Sequence, residues 1–420
     1  MNILVIGSGG REHAVVKALK KSPRADRVYA LPGNPGMKEA IRLPGNPLDI
    51  DQTVRTAQTH RIDFCMVTPE DPLDAGLVDA LTAAGIPCFG PTKAAARIES
   101  SKAFSKELMR KYGIPTARFA VFDELDAALA YVRTQDVPLV IKADGLAKGK
   151  GVIIAESLKE AEDALAAMLR GQAFGDSGSR VIIEEMLTGP ELSLLCLADG
   201  QTIRPLVSAM DHKRAKDGDL GLNTGGMGAI APSPYYTREL AQEIEQRILL
   251  PTMAAMGEAG CPFSGCLFVG LMLTPDGPRV LEYNARLGDP ETQAVLPLIK
   301  SDLLGHFMAC SQGSLDKEEI RIMDGAACCL VLTSQGYPEA ITTGHTITLG
   351  QVEVQVDCAG VAEQDGQLVT AGGRVLGLTA VKPSLQEAIK AAYAAAEQVA
   401  FTGKTYRTDI GQKALEVLHQ

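Results

Sequence analysis

Residues 1–89 alternate short apolar runs with helical patterns, and this alternation limits the possible folds more than any other feature of the sequence. An apolar run at 2–6 ends in the turn Gly7-Ser8-Gly9-Gly10 and opens into a helical pattern from about Glu12 to Lys20. Further apolar runs follow at 27–30, 62–67 and 86–89, with a helical pattern at 73–84. Parallel strands need such helical crossovers between them. We therefore predict a doubly wound parallel sheet over residues 1–103.

The remainder of the chain mixes strand and helix patterns, which predicts an α/β protein that is α+β overall. Helical patterns cover 100–111, 124–134, 157–170, 237–258 and 385–399. Residues 207–232 are glycine-rich and lack periodicity, which predicts a long functional loop. Apolar or alternating runs predict strands at 118–121, 138–142, 151–155, 180–185, 191–198, 265–274 and 278–287, the last two joined by a hairpin turn.

Composition narrows the class of function. Lys and Arg total 41 against 51 Asp and Glu, so the formal net charge is −10, and there is no tryptophan. Nucleic-acid binders usually present a basic surface, so we expect no nucleic-acid partner. No apolar stretch approaches the roughly 20 residues of a membrane span, and no basic leader precedes the first strand, so we expect a cytoplasmic protein without a membrane partner. Nine cysteines without CxxC spacing predict buried free thiols rather than a zinc site.

The turn from Gly7 to Glu12 has the features of a phosphate site. Backbone N–H groups at a helix N-terminus attract phosphate, and glycine lets the ligand approach closely. A dinucleotide-binding turn would need a small third residue where this chain has Glu12, so a smaller phosphorylated ligand fits better than NAD. A tight strand-to-helix turn without a ligand is the alternative interpretation.

A second glycine-rich segment, 142–151, contains Lys142, Lys148 and Lys150 between two predicted strands. Such a loop can cover a polyphosphate and supply both backbone donors and positive charge. The segment is not a P-loop, because no Ser or Thr follows Lys150 and the next element is a strand. The alternative is a flexible, solvated hairpin.

The strand predicted at 278–287 carries polar residues at alternate positions. Glu282, Asn284 and Arg286 should line one face, and Leu281, Tyr283, Ala285 and Leu287 the other. Its uncharged hairpin partner should be buried, so a solvated polar face is a poor explanation. Glu and Asn oxygens two residues apart suit Mg²⁺, and Arg suits a carboxylate or phosphate. A buried ion pair is the structural alternative.

Two further segments combine acids, amides and exposed backbone. Glu184-Glu185-Met186-Leu187 ends an apolar strand, where the backbone can contact an adenine edge and Glu191 a ribose. The aperiodic segment from Asp211-His212-Lys213-Arg214 to Asn223-Thr224-Gly225-Gly226-Met227-Gly228 suits recognition of a small polar substrate. A solvated turn and a loop without chemistry are the respective alternatives, and His212 alone is more typical of a structural histidine.

Taken in order, these motifs resemble the phosphoribosylamine–glycine ligase family of the ATP-grasp superfamily, and the resemblance covers essentially the whole chain. It includes the segments above and several others: Pro69-Glu70, Phe89-Gly90-Pro91-Thr92, Ser101-Lys102-Ala103-Phe104, Gly288-Asp289-Pro290-Glu291 and Gly336-Tyr337-Pro338.

The resemblance implies an ATP-grasp fold in three parts. These are a Rossmann-like substrate-side domain at 1–103, an ATP-grasp domain at 104–312 with its small nucleotide lobe at about 119–190, and a C-terminal α+β domain at 320–420. It further implies a monomer that uses ATP and Mg²⁺ (or Mn²⁺) to ligate glycine to 5-phosphoribosylamine through a glycyl acyl-phosphate, the second step of de novo purine synthesis.

The resemblance also implies a role for each matching residue. Glu282 and Asn284 would hold the metal. The nucleotide would contact Lys102, Lys142, Gly149, Lys150, Gly151, Glu184, Glu185, Met186, Leu187 and Glu191. The pocket for glycine and 5-phosphoribosylamine would contain Arg286, Asp211, Lys213, Asn223, Gly225 and Gly226, with Gly9, Gly10, Arg11 and Glu12 at the phosphoribosyl end.

The sequence departs from the family pattern in places. Lys148, Thr68, Tyr283 and Leu287 replace the commoner residues, and residues 266–273 lack the additional metal-binding carboxylate of many ATP-grasp enzymes. A second protein-held metal is therefore in doubt. The rival functions are an ATP-grasp ligase with another acid and amine, an NAD-dependent oxidoreductase, and a non-catalytic ATP sensor. Glu12 argues against the oxidoreductase, and the intact 282–286 motif argues against the sensor.

Overall fold

The computed structural model of the protein describes residues 1–146, 151–170 and 180–419. The N-terminal unit is a parallel sheet covered by helices. Its strands pair in the order β3-β2-β1-β4-β5, which confirms the predicted doubly wound sheet. The elements are β1 (Asn2–Gly7), α1 (Gly10–Lys20), β2 (Arg27–Pro32), β3 (Ile41–Arg42), α2 (Ile50–Thr59), β4 (Phe64–Val67), α3 (Glu70–Ala75), α4 (Leu77–Ala83), β5 (Cys88–Phe89) and α5 (Lys93–Ser100).

The helix predicted at 73–84 is in fact two helices, α3 and α4. The break lies at Gly76, whose φ of +94° belongs to the left-handed region that a continuous helix cannot include. The earlier start, at Glu70, places an acidic side chain directly after β4, at the carboxyl edge of the sheet. Ligands of open parallel sheets bind at this edge.

A small antiparallel sheet follows, with two helices packed on it. Its strands pair in the order β6-β9-β7-β8, and the apolar sides of α7 and α8 form a separate core with them. The elements are α6 (Lys102–Lys111), β6 (Phe119–Phe122), α7 (Leu125–Val132), β7 (Leu139–Ala143), β8 (Val152–Ala155), α8 (Leu158–Leu169) and β9 (Val181–Glu185).

A second antiparallel sheet, in the order β11-β10-β16-β17, forms the larger half of the central unit. Helices α9 and α10 are continuous through a π-helical turn at Glu245–Leu249. The elements are β10 (Glu191–Asp199), β11 (Ile203–Pro205), β12 (Met210–Asp211), β13 (Arg214–Lys216), β14 (Leu220–Asn223), β15 (Gly228–Ala231), α9 (Arg238–Ile244), α10 (Leu250–Glu258), β16 (Ser264–Thr274), β17 (Gly277–Asn284), α11 (Glu291–Val295) and α12 (Leu303–Gln312).

Strand β17 contains a β-bulge that corrects the predicted pattern of faces. Gly270 pairs with Glu282 and Leu271 with Val280, so Leu281 is the extra residue. Val280 and Tyr283 consequently lie in the same core, whereas Leu281 packs in a separate small cluster. The prediction that Leu281 shares a face with Tyr283 was wrong, because strict alternation assumes an unbroken ladder.

The prediction of a loop at 207–232 was also wrong, because the segment contains four short strands. Strands β13 and β14 form a two-stranded ribbon, and β12 and β15 join a sheet whose other strands come from the C-terminal part of the chain. Glycine and polar residues hide such short strands from periodicity arguments. The consequence is that both ends of this segment, β12 and β15, belong structurally to the C-terminal sheet.

The C-terminal unit completes this sheet, in the order β12-β15-β18-β23-β20, and packs α13 against it. All nine cysteines are free and buried, as predicted. Among the described residues, no helix has both the length and the hydropathy to cross a membrane. The elements are β18 (Ala326–Thr333), β19 (Thr348–Leu349), β20 (Gln355–Cys358), β21 (Val361–Gln364), β22 (Gln367–Thr370), β23 (Arg374–Lys382), α13 (Leu385–Glu397), β24 (Val399–Ala400) and α14 (Gln412–Leu418).

Candidate active site

Glu282 lies at the centre of a group of cations gathered from four segments of the chain. Although burial alone would raise the pKa of its carboxyl group, four cations lower it: Lys213, Lys142, Lys102 and Arg286. These come from the start of β13, from β7, from the start of α6 and from the turn after β17. The excess of positive charge around one carboxylate suits a polyanionic ligand such as a nucleotide.

Arg286 lies beyond the end of β17 but keeps the expected side of the strand. Its Nη2 atom is 3.1 Å from a carboxylate oxygen of Glu99 and donates a hydrogen bond of 3.1 Å to the side-chain oxygen of Asn284. Glu70 lies 3.6 Å from its Nε. Burial opposes the charge, but the nearby Glu99 and Glu70 raise the pKa of Arg286. The guanidinium is thus permanently charged and fixed in orientation.

The side-chain oxygens on this face of β17 fit a single Mg²⁺ that is also bound by a ligand. Glu282 and Asn284 each supply an oxygen, and Mg²⁺ is commonly held by one or two protein oxygens together with phosphates. Gly270, directly opposite Glu282, leaves space but adds no donor. The assignment of a metal to Glu282 and Asn284 therefore stays a prediction, and β16 contributes no further carboxylate.

On the nucleotide side, the structure brings two of the predicted lysines close to Glu282. Lys142 lies 3.0 Å from Glu184 and donates to the carbonyl of Leu281, at 3.3 Å. Lys102 donates to the carbonyl of Gly145, at 2.8 Å, and thereby contacts the start of the 142–151 segment. The carbonyl of Gly151 accepts from the N–H of Ala143, at 2.8 Å. The predicted residues Gly149 and Lys150 lie outside the described residues.

The segment after β9 combines a fixed acidic side chain with an apolar surface. Glu185 forms an ion pair of 2.6 Å with Arg118 and lies 3.3 Å from Arg279, and the two arginines fix the orientation of its carboxylate. Leu187 is buried in a small apolar cluster with Ala117 and Met272, against which Leu281 packs. An apolar surface beside the backbone of Met186 suits a flat heterocycle.

Glu191 and Lys213 lie together rather than in separate subsites. The ammonium of Lys213 is 2.7 Å from the Glu191 carboxylate at the start of β10. Despite its partial burial, the carboxylates of Glu191, Glu282 and Asp211 raise the pKa of Lys213. This ion pair joins the predicted ribose residue to the predicted substrate residue, so a single ligand beside it can contact both.

The backbone at Gly225 and Gly226, which we predicted to face the substrate, is held in place by the C-terminal unit. Arg374, at the start of β23, donates to the carbonyls of Gly225 (2.6 Å) and Asp289 (2.7 Å) and to the Asp289 carboxylate (2.9 Å). The Tyr337 hydroxyl accepts from the N–H of Gly225, at 3.1 Å. Gly226 has a φ of +112°. This backbone conformation is therefore fixed by contacts from a different part of the chain.

Two acids near this backbone have a raised pKa. Burial, reinforced by the nearby Glu291, raises the pKa of Asp211 well above its ordinary value. Burial likewise raises the pKa of Glu291, which is 4% exposed at the start of α11. A cation between the two carboxylates would relieve this penalty. The pair therefore suits a ligand that carries an ammonium group.

The other polar residues of the segment have structural partners. Asn223 is exposed and pairs with Arg214, the residue after Lys213, across the β13–β14 ribbon. His212 accepts from the N–H of Gly411 at 3.1 Å, and burial lowers its pKa to about 4. His212 is thus a neutral structural residue, as the sequence predicted.

The glycine turn of the N-terminal unit is closed by its own side chains. Glu12 accepts from the N–H of Gly9 at 2.7 Å and from Arg11 at 2.6 Å. Arg11 also donates to the carbonyl of Leu287, at 3.0 Å, and so connects the turn to the segment after β17. Beside the turn, residues of both terminal units line a cavity of about 480 Å³: Ser8, Gly33, Asn34, Pro35, Arg42, Ala359–Glu363 and Ala371.

Sequence reasoning missed several residues of the site: Lys106, Glu99, Glu291 and Arg374. Glu291 belongs to the 288–291 motif that carried the family resemblance, so that motif was an available signal. Glu99 carries no signal of its own in the sequence. It belongs to the site because its carboxylate accepts a hydrogen bond from the N–H of Ala285, next to Asn284, at 2.7 Å. Lys106 and Arg374 carry no local signal, since their partners lie 78 and 149 residues away in sequence.

Comparison with known proteins finds one family that matches along nearly the whole chain. Three models of phosphoribosylglycinamide synthetase match in order: the N domain at residues 1–99, the ATP-grasp (A) domain at 100–292 and the C domain at 327–413. A phosphoribosylamine–glycine ligase of Pasteurella multocida is 45% identical over 99% of this chain and 98% of its own length.

Solved structures agree. The crystal structure of a phosphoribosylamine–glycine ligase from Thermotoga maritima has a TM-score of 0.88 and 36% identity, and covers 98% of this chain and all of the other. The biotin carboxylase domain of a 2-oxoglutarate carboxylase from Hydrogenobacter thermophilus was solved with MgADP. It has a TM-score of 0.74 and 17% identity, and the match covers 99% of this chain and 98% of that domain. At this identity the likeness shows a shared fold alone. The chain therefore belongs to the phosphoribosylglycinamide synthetase family of ATP-grasp ligases.

Proposed function

We propose that this protein ligates glycine to 5-phosphoribosylamine with consumption of ATP, giving glycinamide ribonucleotide, ADP and phosphate in de novo purine biosynthesis. The observation that carries the proposal is the set of cations around Glu282, which lies next to the pair Asp211 and Glu291. The cations suit ATP phosphates, and the acid pair suits the ammonium group of glycine. One site thus offers complementary charge to both reactants of a carboxylate–amine ligation.

The first step transfers a phosphoryl group. An oxygen of the glycine carboxylate attacks the γ-phosphorus of ATP, the bond to the bridging oxygen of ADP breaks, and glycyl phosphate and ADP result. Lys102 and Lys142 neutralise the phosphates, and Arg286 orients the carboxylate by its fixed guanidinium. When bound by Glu282 and Asn284, Mg²⁺ (with Mn²⁺ as an alternative) would withdraw charge from the phosphate oxygens.

The second step forms the amide. The amine of 5-phosphoribosylamine attacks the carbonyl carbon of glycyl phosphate, the carbon–oxygen bond to phosphate breaks, and a proton of the nitrogen passes to the departing phosphate. The backbone at Gly225 and Gly226, with Lys213, would face the reacting carbonyl. The cavity beside Ser8, Asn34 and Arg42 has the size and donors for the phosphoribosyl group, and Gly9–Glu12 would form its inner wall.

The nucleotide base and ribose would occupy the remaining predicted positions. Adenine would lie against Leu187 and Met186, next to the backbone of Glu184 and Glu185, and the ribose would contact Glu191. Gly149, Lys150 and Gly151 are proposed to cover the phosphates. We also propose that the three predicted domains function as one cytoplasmic monomer.

A substrate-dependence assay tests the proposal. ADP release should require Mg²⁺, glycine and 5-phosphoribosylamine together. Glu282→Ala should lower kcat at least about a hundredfold, since loss of charge stabilisation worth a few kcal/mol corresponds to such a factor. Glu258→Ala, an exposed glutamate at the end of α10, is the matched control and should be unaffected. Full activity in Glu282→Ala would reject the metal assignment, and ADP release with another amino acid instead of glycine would reject the substrate.

A further inference from the structure

We propose that Lys106 is a positioning residue for the ATP reaction: by sharing the carboxylate of Glu184, it leaves Lys142 available to the nucleotide phosphates. The inference rests on the proposed function in one respect, namely that Lys142 contacts ATP. Lys106 itself lies one helical turn after Lys102, on α6. It contacts Glu184 rather than the open site.

The three side chains form a buried row. The ammonium of Lys106 donates to one oxygen of Glu184 at 2.9 Å, and that of Lys142 lies 3.0 Å from the other oxygen. Their exposed fractions are 2% for Lys106, 2% for Glu184 and 6% for Lys142. Water therefore has little access, and the charges must balance one another within the protein.

Lys106 also connects this row to the strand that carries the metal ligands. Its ammonium donates to the hydroxyl of Thr116 at 2.7 Å, and that hydroxyl donates to the carbonyl of Val280 at 2.6 Å. Val280 precedes Glu282 by two residues on β17. Lys106 thus joins the small sheet, which contains Glu184 and Lys142, to the large sheet, which contains Glu282.

The proposed role of Lys106 follows from the charges of the three side chains. One carboxylate and two ammonium groups leave a net charge of +1, so Glu184 keeps a partner when Lys142 turns towards a phosphate. Without Lys106, the same movement would leave a buried carboxylate unpaired, which is strongly unfavourable. Lys142 would then be held by Glu184 at the expense of ATP binding.

The protonation state of Lys106 makes the role testable. Burial, opposed in part by Glu184, lowers the pKa of Lys106 to about 8. The other groups that act on it are Lys142, which lowers its pKa further, and Glu282, which raises it. Below this value Lys106 is charged and Lys142 is free to move. As the pH rises through about 8, Lys106 becomes neutral and Glu184 retains Lys142, so the KM for ATP should rise.

The experiment compares the KM for ATP of the wild type, Lys106→Met and Lys106→Arg from about pH 6 to about pH 10. The wild-type KM should rise near pH 8. Lys106→Met should have a KM about tenfold higher at neutral pH, with kcat nearly unchanged and no rise near pH 8. Lys106→Arg should keep the wild-type KM at neutral pH and also lack the rise, because guanidinium remains charged.

A wild-type KM at neutral pH in Lys106→Met, or a rise near pH 8 that persists in either variant, would overturn the inference. If Lys106→Met does not fold, the pH profile of Lys106→Arg decides alone. Lys142→Met separates the two proposals: a wild-type KM for ATP in that variant rejects the nucleotide site itself. If the KM for ATP is raised in Lys142→Met but stays at the wild-type value in the Lys106 variants, only the positioning role is rejected.

Discussion

At the scale of single residues, Gly226 shows how closely the backbone proposed to face the substrate packs against its surroundings. A β-carbon at this position would lie 2.3 Å from Cδ of Pro290 and 2.9 Å from a carboxylate oxygen of Asp211. Its φ of +112° is in addition unfavourable for any residue with a side chain. Only glycine therefore lets the segment pass between Asp211 and the turn before α11.

We predict that Gly226→Ala lowers kcat/KM for glycine at least about tenfold, because the added methyl group must displace Asp211 or Pro290. Gly344→Ala is the control, since Gly344 also has a positive φ of +85° but its β-carbon would contact nothing within 4 Å. Both variants should lose about 1 kcal/mol or more of stability in urea unfolding. Equal glycine kinetics in the two variants would show that the close approach has no functional consequence.

The residues of the site were predictable where the chemistry is local in sequence. Glu282 and Asn284 alternate on one strand, so two-residue spacing alone placed them on one face. Lys106 could not be found in this way, because its partner Glu184 is brought to it by the packing of α6 against β9. Arg374 stands alone at the start of an apolar strand, and only the assembled sheet shows its contact with Gly225.

At the scale of elements, the bulge in β17 shapes the apolar wall against which we propose that adenine packs. It moves Leu281 out of the core that contains Tyr283 and into contact with the cluster of Leu187, Met272 and Ala117. Sequence patterns predicted this strand and its hairpin well, since apolar runs and the turn at 275–276 are strong local signals. The bulge is a tertiary feature, because it depends on pairing with β16.

We predict that Leu281→Ser raises the KM for ATP roughly tenfold and leaves the KM for glycine unchanged. Full burial of a leucine side chain contributes about 1.5–3 kcal/mol, and a tenfold change in affinity corresponds to about 1.4 kcal/mol. Leu349→Ser, at an exposed leucine of β19, is the control. An unchanged KM for ATP would mean that the adenine does not contact this wall.

At the scale of the whole molecule, the site is assembled from all three parts of the chain. The N-terminal unit supplies Glu70 and the glycine turn, the central unit supplies the cations around Glu282, and the C-terminal unit supplies Arg374. The parallel, doubly wound arrangement of the N-terminal sheet followed from the sequence, because its apolar runs alternate with helical patterns. The sheet that unites β12 and β15 with β18 did not, because short polar strands take their structure from their partners.

We predict that Arg374→Met lowers kcat/KM for glycine by about tenfold to a hundredfold, while the KM for ATP changes less than about twofold. The variant keeps much of the side chain but loses its hydrogen bonds to Gly225 and Asp289, and hydrogen bonds to charged groups contribute about 1.5–3 kcal/mol each. Arg204→Met, at an exposed arginine of β11, is the matched control. Wild-type kinetics in Arg374→Met would restrict the C-terminal unit to a role in stability.

The shared sheet has a consequence for recombination between ATP-grasp enzymes. Strand β15 hydrogen-bonds to β18, and β12 to β15, although nearly 100 residues of the chain lie between β15 and β18. A chimera cut between the central and C-terminal units would pair these strands with a foreign neighbour and displace the substrate-side backbone. A chimera designed to change substrate preference would therefore have to exchange residues 210–231 and the C-terminal unit together.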